Sequence, residues 1–234
     1  MKIKCKVLAV IPARGGSREI PKKNLRKVGS LSLIGHAIKF CQNCKFLYGY
    51  VVSTDCPKIM SEAKKIGACN IIKRPKKLSG DTSTSEKAWK HALLAFEKEK
   101  KTLVDFSILL EPTCPQRNQN EVKKCLNLVI NQSKDLAFSV NRVPLKFNPK
   151  KQLYIKNGIG INVLKKKLSP IRQQARLTFI RNGECYAASR KFIISSKNVM
   201  SNKAGVVISK NEPINIDTFE DLKKAKQNLK YVSF

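Results

Sequence analysis

The sequence predicts a doubly wound α/β fold built on a mainly parallel sheet, and three observations carry that expectation. Apolar runs of strand length alternate with stretches of helical periodicity along most of the chain. The first apolar run, residues 7–11, leads straight into a glycine-rich turn, Gly15-Gly16-Ser17. Polar and charged residues then recur at the ends of successive strand patterns: Arg14, Asp55, Arg74 and Glu111. Open α/β sheets bind ligands beyond the carboxyl ends of their strands, so these positions mark one edge of the sheet as the functional one.

The elements follow in order. After the turn, Leu33, Ile34, Ala37, Ile38 and Cys41 recur at helical spacing. Residues 50–53 read as a second strand ending in Ser-Thr-Asp, residues 57–66 as a helix closed by Gly67, and residues 70–72 as a short strand. Ser83-x-x-Glu86 has the spacing of a capping box and predicts a helix reaching about residue 98. Trp89, Leu93 and Phe96 form a core-facing stripe on it, and His36 and His91 lie on helical patterns as structural residues. Residues 106–110 read as a strand ending at Glu111-Pro112; Asn118-x-x-Glu121 starts another helix, and residues 136–140 a further strand. From Pro144 to about Arg181 the alternation gives way to Pro, Lys, Gln and short β-like pieces, an inserted lobe and not a second domain. The sheet pattern resumes at 184–188 and 205–209, passes Asn215-Ile216-Asp217-Thr218, and ends in a helix over about 220–229. Residues 1–234 thus read as one domain with residues 144–181 inserted into it.

Composition narrows the class. The 234 residues, 42% of them hydrophobic, suffice for one large core. No apolar run reaches the roughly 20 residues that span a bilayer. The basic and then apolar N-terminus breaks off at Pro-Ala-Arg-Gly-Gly, unlike a secretory leader, and the expected location is the cytoplasm. Eight scattered cysteines fit reduced, structural thiols; Cys41 and Cys44 form the only CxxC, with no second pair to complete a zinc site. Lys and Arg number 47 against 16 Asp and Glu, a formal net charge of +31. The lysines are spread through almost every segment with few aromatics among them, so nucleic acid is expected to bind only nonspecifically, at low salt.

The chemistry concentrates in residues 11–25, IPARGGSREIPKKNL. Arg14, Arg18, Lys22, Lys23 and Arg26 surround the glycine turn. Glycine lets a phosphate approach the backbone, and Arg and Lys neutralise its charge. The turn lacks the Lys-Ser/Thr of a Walker loop and the Gly-x-Gly-x-x-Gly of dinucleotide folds. It reads as a grip for a triphosphate by the loop amides, Arg14, Arg18 and Lys23.

The same stretch resembles the signature of the acylneuraminate cytidylyltransferase family, the CMP-sialic acid synthetases and their bacterial relatives for legionaminic and pseudaminic acids. The likeness continues at Ser53-Thr54-Asp55, at Arg74-Pro75 with Leu78 and Asp81-Thr82, and at LLEPTCPQR from Leu109 to Arg117. It runs on through Pro144-Leu145-Lys146, Arg172-Gln173-Gln174, Asn182-Gly183 and Ile216-Asp217-Thr218. The resemblance implies a Rossmann-like three-layer sandwich of the nucleotide-diphospho-sugar transferase type, with the lobe serving a homodimer. It implies a transferase that activates a nonulosonic sugar with CTP, releasing pyrophosphate with the help of magnesium.

It also implies roles. Arg14, Gly15, Gly16, Ser17, Arg18, Lys23 and Asn24 would bind the triphosphate, and Arg74 and Ser85 the cytidine side. Glu111, Lys146, Arg172, Gln173 and Asn182 would meet the sugar, with Lys146 and Arg172 reaching into the partner's site. Asp217 would hold the metal, and Arg14, Lys23 and Asp217 would carry the catalysis. Each has a plain structural counterpart: Ser85 in the first turn of its helix, Lys146 and Arg172 as solvated charges, Asp217 as a cap. The chain departs from the family pattern at Glu19, at Glu111 in place of Gln, at Asn215 in place of an acid, and at Glu184 after Asn-Gly. These departures leave two other readings, a degenerate paralogue with little activity and a basic nucleic-acid-binding protein on the same fold.

Overall fold

A computed structural model describes residues 5–164, 177–196 and 201–228. Strand β1 (Val7–Pro12) lies between two parallel neighbours. Its side chains alternate, Val7, Ala9 and Ile11 entering one apolar layer and Leu8 and Val10 the other, so a strand buried on both faces reads as one unbroken apolar run. A small hairpin, β2 (Lys27–Val28) and β3 (Leu31–Ser32), precedes helix α1 (Leu33–Gln42), which Ser32 caps by accepting a hydrogen bond from the Gly35 amide. Then come β4 (Gly49–Thr54), α2 (Pro57–Lys65), β5 (Ile71–Lys73) and α3 (Ser85–Lys100). The chain returns beside β1 as β6 (Phe106–Leu109) and continues through α4 (Gln119–Asn131) to β7 (Leu136–Arg142).

A separate hairpin, β8 (Leu153–Lys156) and β9 (Ile159–Asn162), belongs to no other sheet. Strand β10 (Phe179–Ser189) runs antiparallel between β6 and β7, followed by α5 (Arg190–Ser195), β11 (Ala204–Ile208) and α6 (Phe219–Asn228). The seven strands lie in the order β11-β7-β10-β6-β1-β4-β5, and every pairing without β10 is parallel. Helices α1, α2 and α4 cover one face; α3, with Trp89, Leu93 and Phe96, covers the other. The strand order reverses between β1 and β6, which is where a doubly wound sheet opens a crevice.

The expected capping box at Ser83 does not form. Thr84 is the N-cap, without a side-chain cap bond, and the Ser83 hydroxyl is buried without a hydrogen-bond partner. Asn118 does cap α4, its side chain accepting from the Asn120 amide. No helix among the described residues is long and apolar enough to cross a membrane.

A third apolar cluster lies away from the sheet. Ile20 and Val28 from the segment after the glycine turn and Leu33 from α1 pack with Ile216, Leu222 and Ala225. It fastens the segment after the glycine turn to residues 216–225.

Candidate active site

The glycine turn is held from beneath. The Asn24 amide donates to the Arg14 carbonyl at 2.9 Å, and the Gly15 N–H donates to Asp55 Oδ1 at 2.9 Å. A Cβ on Gly15 would come within 2.8 Å of Cys56 Cβ, so this glycine lets the turn sit against the start of α2. Gly16 is different: a Cβ there would meet nothing within 4 Å, and the residue faces an open cleft.

That cleft, about 260 Å³, lies at the carboxyl edge of the sheet over β1 and β6. Its walls include Arg14, Gly16, Ser17, Lys23, Asn24, Arg74, Ser83, Thr84, Ser85, Glu111, Asn215 and Asp217. Arg74, only 5% exposed, donates to the Ser53 hydroxyl and carbonyl at 3.2 and 2.8 Å, and burial pushes its pKa below the usual guanidinium value. Lys23 Nζ bridges to Asp217 Oδ1 at 3.0 Å and to the Ile216 carbonyl at 3.1 Å. Arg14 and Arg18 both reach Asp81 on the loop before α3. Arg18 stands outside the cleft lining, as does Glu19, which is exposed.

Glu111 forms the inner wall. Strand β10 breaks register with β7 between Arg181 and Tyr186, and Gly183 in that break has φ +71°. A Cβ on Gly183 would stand 2.8 Å from Glu111 Oε2 and 3.3 Å from Asn215 Oδ1. Burial first, and the nearby Asp217 carboxylate second, push the Glu111 pKa up to about 7. Arg117 supports this residue from behind, donating to the Glu111 carbonyl and to the Glu184 carbonyl, each at 2.6 Å. The unusual Glu184 is buried and partnered: it accepts from the Asn118 amide at the start of α4 and from Ser209, both at 2.7 Å. Its carboxylate complements the positive end of that helix.

A second cavity, about 410 Å³, adjoins the first and shares Ser85 and Glu111 with it. Glu86, Leu109, Ile180, Arg181 and Tyr186 complete its wall.

The structure thus brings Arg14, Gly16, Ser17, Lys23, Asn24, Arg74, Ser85, Glu111 and Asp217 around one cleft. It does not bring Asn182 there. Asn182 is 3% exposed, accepts from Ser139 and the Glu184 amide, and donates to Asn141 and Ser209. Its hydrogen bonds go to the protein, and it holds the register break around Gly183. Lys146 is exposed, with its ammonium 4.9 Å from the centre of the Phe147 ring, outside both cavities. Arg172 and Gln173 lie outside the described residues. Sequence reasoning missed Glu86, Arg181 and Tyr186. In sequence Glu86 reads as part of a capping box and Arg181 as the end of the lobe, and only the pairing of β10 beside β6 brings Arg181 and Tyr186 to the same cavity as Glu86 on α3.

Asp217 and Asn215 are the residues that could hold a metal ion, although Asp217 Oδ1 also accepts from Lys23 and Oδ2 from the Asn215 amide. The Asp217 carboxylate faces the cleft, and the neighbouring Asn215 Oδ1 is buried without a hydrogen-bond partner. These are hard oxygen donors beside space for phosphate, the setting in which magnesium binds through one or two carboxylates. No group of three or more His, Cys, Asp or Glu among the described residues is placed to hold a metal alone.

A strand-end cleft lined by arginine, lysine and serine, on a doubly wound sheet, suits the phosphates of a nucleotide. The family described as Cytidylyltransferase matches over residues 8–228, and the chain belongs to it. It is 31% identical over 218 residues to the CMP-N,N'-diacetyllegionaminic acid synthase of Campylobacter jejuni, spanning 93% of this chain and 92% of that one. It is 28% identical over 221 residues to post-translational flagellin modification protein B of Campylobacter coli, spanning 93% and 92%. The pseudaminic acid cytidylyltransferase of Campylobacter jejuni is 28% identical over 223 residues, 94% of this chain and 95% of that one. Among solved structures, a CMP:2-keto-3-deoxy-manno-octonic acid synthetase complexed with CTP superposes with a TM-score of 0.70, covering 96% of this chain and 98% of that one at 16% identity. This last likeness concerns the fold.

Proposed function

We propose that this cytidylyltransferase activates a nonulosonic, sialic-acid-like sugar with CTP, giving the CMP-sugar and pyrophosphate. The carrying observation is the cleft at the β1/β6 crevice, where Arg14, Lys23 and Arg74 converge with the serines at the start of α3. Three cations around a glycine suit a polyphosphate, and the relatives of similar length are named for CMP-sugar synthesis.

In this reading the anomeric hydroxyl oxygen bonds to the α-phosphorus of CTP. The bond from that phosphorus to the bridging oxygen breaks, pyrophosphate leaves with the electron pair, and the hydroxyl proton is released. Such transfers depend on positioning and charge neutralisation. Arg14 and Lys23 hold the departing phosphates, and Ser17 and Gly16 let them approach the loop. Arg74, fixed by Ser53, and Ser85 orient the cytidine side. Asp217, with Asn215 beside it, would hold magnesium, which supplies further neutralisation of phosphate charge. Lys23 keeps that carboxylate turned toward the cleft.

The functional unit in this reading is a homodimer, with residues 144–181 as the dimerisation lobe. Its β8–β9 hairpin carries Leu153, Tyr154, Ile155 and Ile159 at 53–74% exposure, a patch of the kind that subunit contacts cover. The partner's lobe would bring Lys146 and Arg172 to the site. The eight cysteines are all unpaired, which supports a reducing, cytoplasmic setting.

The test is pyrophosphate release from CTP and magnesium with a panel of nonulosonic acids. Sugar-dependent release supports the reading. A folded protein that releases none with any sugar overturns it and favours a degenerate paralogue. Stabilisation against heat by every polyanion alike, without preference for CTP and magnesium, would instead favour the nucleic-acid-binding reading.

A further inference from the structure

The second cavity differs in charge from the cleft it joins. In the cleft and its rim, three cations are ion-paired, Arg14 and Arg18 with Asp81 and Lys23 with Asp217, while Arg74 bonds only to Ser53. In the second cavity, Glu86, Glu111 and Arg181 face one space, and none of their side chains makes an ion pair or hydrogen bond to another side chain among the described residues. Arg181 is exposed and Glu86 half-buried, so both charges are open to a ligand, while burial pushes the Glu111 carboxyl up to about 7. The volume, about 410 Å³, falls within the roughly 300–1,000 Å³ of small-molecule sites.

The shared wall gives the geometry. Ser85 and Glu111 belong to both spaces, so a ligand in the second cavity can present a hydroxyl across that wall to a phosphate held in the first. The second cavity also offers Ile180 and the Tyr186 ring, an apolar face for a sugar ring. Two carboxylates and one guanidinium are not complemented by a sugar acid whose only charge is its carboxylate. That charge would meet Arg181 and would itself give neither glutamate a partner.

We propose that this cavity is the acceptor compartment and selects a sugar acid bearing an unacylated amino group, with Arg181 holding the carboxylate and Glu86 and Glu111 holding the ammonium. The inference rests on the cytidylyltransferase reading above and adds the acceptor's chemical class to it. Charge-assisted hydrogen bonds between ammonium and carboxylate are about twice as strong as neutral ones, whereas an acetamide offers one neutral N–H.

The test measures binding, so that it does not depend on turnover. Two nonulosonic acids differing only in a free or an N-acetylated amino group are titrated calorimetrically at pH 7.5 into the whole protein, with CMP and magnesium present. The free amine should bind about tenfold more tightly. Glu86→Gln and Glu111→Gln should each shrink that preference several-fold, and Arg181→Gln should weaken both acids alike. Equal or tighter binding of the acetylated acid overturns the proposal. So does a result in which Glu86→Gln and Glu111→Gln loosen subunit association in sedimentation and leave the preference intact, because the glutamates would then serve the partner's cations. Binding of neither acid also overturns it. Stabilisation by CTP and magnesium, measured on the same protein, separates that failure from failure of the nucleotide reading.

Discussion

Arg18 grips Asp81 with two donors on one oxygen, Nε at 2.8 Å and Nη2 at 2.6 Å from Oδ2. The other carboxylate oxygen takes Arg14 Nη1 at 3.2 Å. A carboxylate from the loop before α3 therefore stands on the arginines that flank the glycine turn, in the role a phosphate would take.

Asp81→Asn should relieve this competition. The expected outcome is a several-fold lower KM for CTP with kcat little changed, read from initial rates of pyrophosphate release. The Arg18 hydrogen bond, foremost, holds the Asp81 carboxyl below the usual carboxylate range. A depressed folded pKa means that the contact is present above the ordinary carboxylate pKa and is lost only as pH falls through the depressed one. The effect on KM should accordingly be flat between about pH 6 and 8. A higher KM in the variant would mean that Asp81 assists the nucleotide.

Gly183→Ala strikes two constraints together. The residue has φ +71°, and its new Cβ would lie 2.8 Å from Glu111 Oε2. Left-handed backbone at a non-glycine residue costs about 1–3 kcal/mol. Chemical denaturation should show a loss of that order, and displacement of Glu111 should lower kcat/KM as well. Unchanged stability would show that the register break yields easily.

Glu111→Gln should alter the pH dependence of stability. The Glu111 carboxyl titrates at about 7, above its ordinary value near 4.5. Between those values the folded protein binds more protons than the unfolded one, so this group's contribution to stability falls as pH rises. In the ligand-free protein, the Tm of the variant relative to the parent should therefore climb from pH 5 to pH 8. A constant difference would place Glu111 in a well-solvated setting.

Arg74→Lys keeps the charge and loses the fork. Two of the guanidinium's hydrogen bonds go to Ser53, and an ammonium cannot reproduce their spacing. Loss of about 1–2 kcal/mol of stability is expected, with a KM for CTP raised about tenfold or more. A KM within twofold of the parent would remove Arg74 from the nucleotide's contacts.

The fold was legible because β1, β4 and β6 are buried on both faces and α1 and α3 carry clear stripes. Period and composition then say enough. The short hairpin at residues 27–32 and helix α5 lack length, and nothing in the antiparallel direction of β10 is written in its apolar run. The cationic wall, Arg14, Lys23 and Arg74, was readable from residue type at strand ends. The role of Asn182 was not, since a buried amide with four partners and a ligand-binding amide look alike in sequence. Glu184 reads as an oddity until Asn118 and Ser209 are placed on its two oxygens.

The small cluster that joins Ile20 and Leu33 to Ile216 and Leu222 sets an order of events in synthesis. Lys23 and its partner Asp217 are 194 residues apart. At about 5–20 residues per second, Lys23 waits roughly 10–40 s on the ribosome before its carboxylate exists. The loop emerges early, and its anchor follows 194 residues later. A nascent chain can build most of the sheet and still hold no finished site, so catalytic competence reports that translation has passed α6.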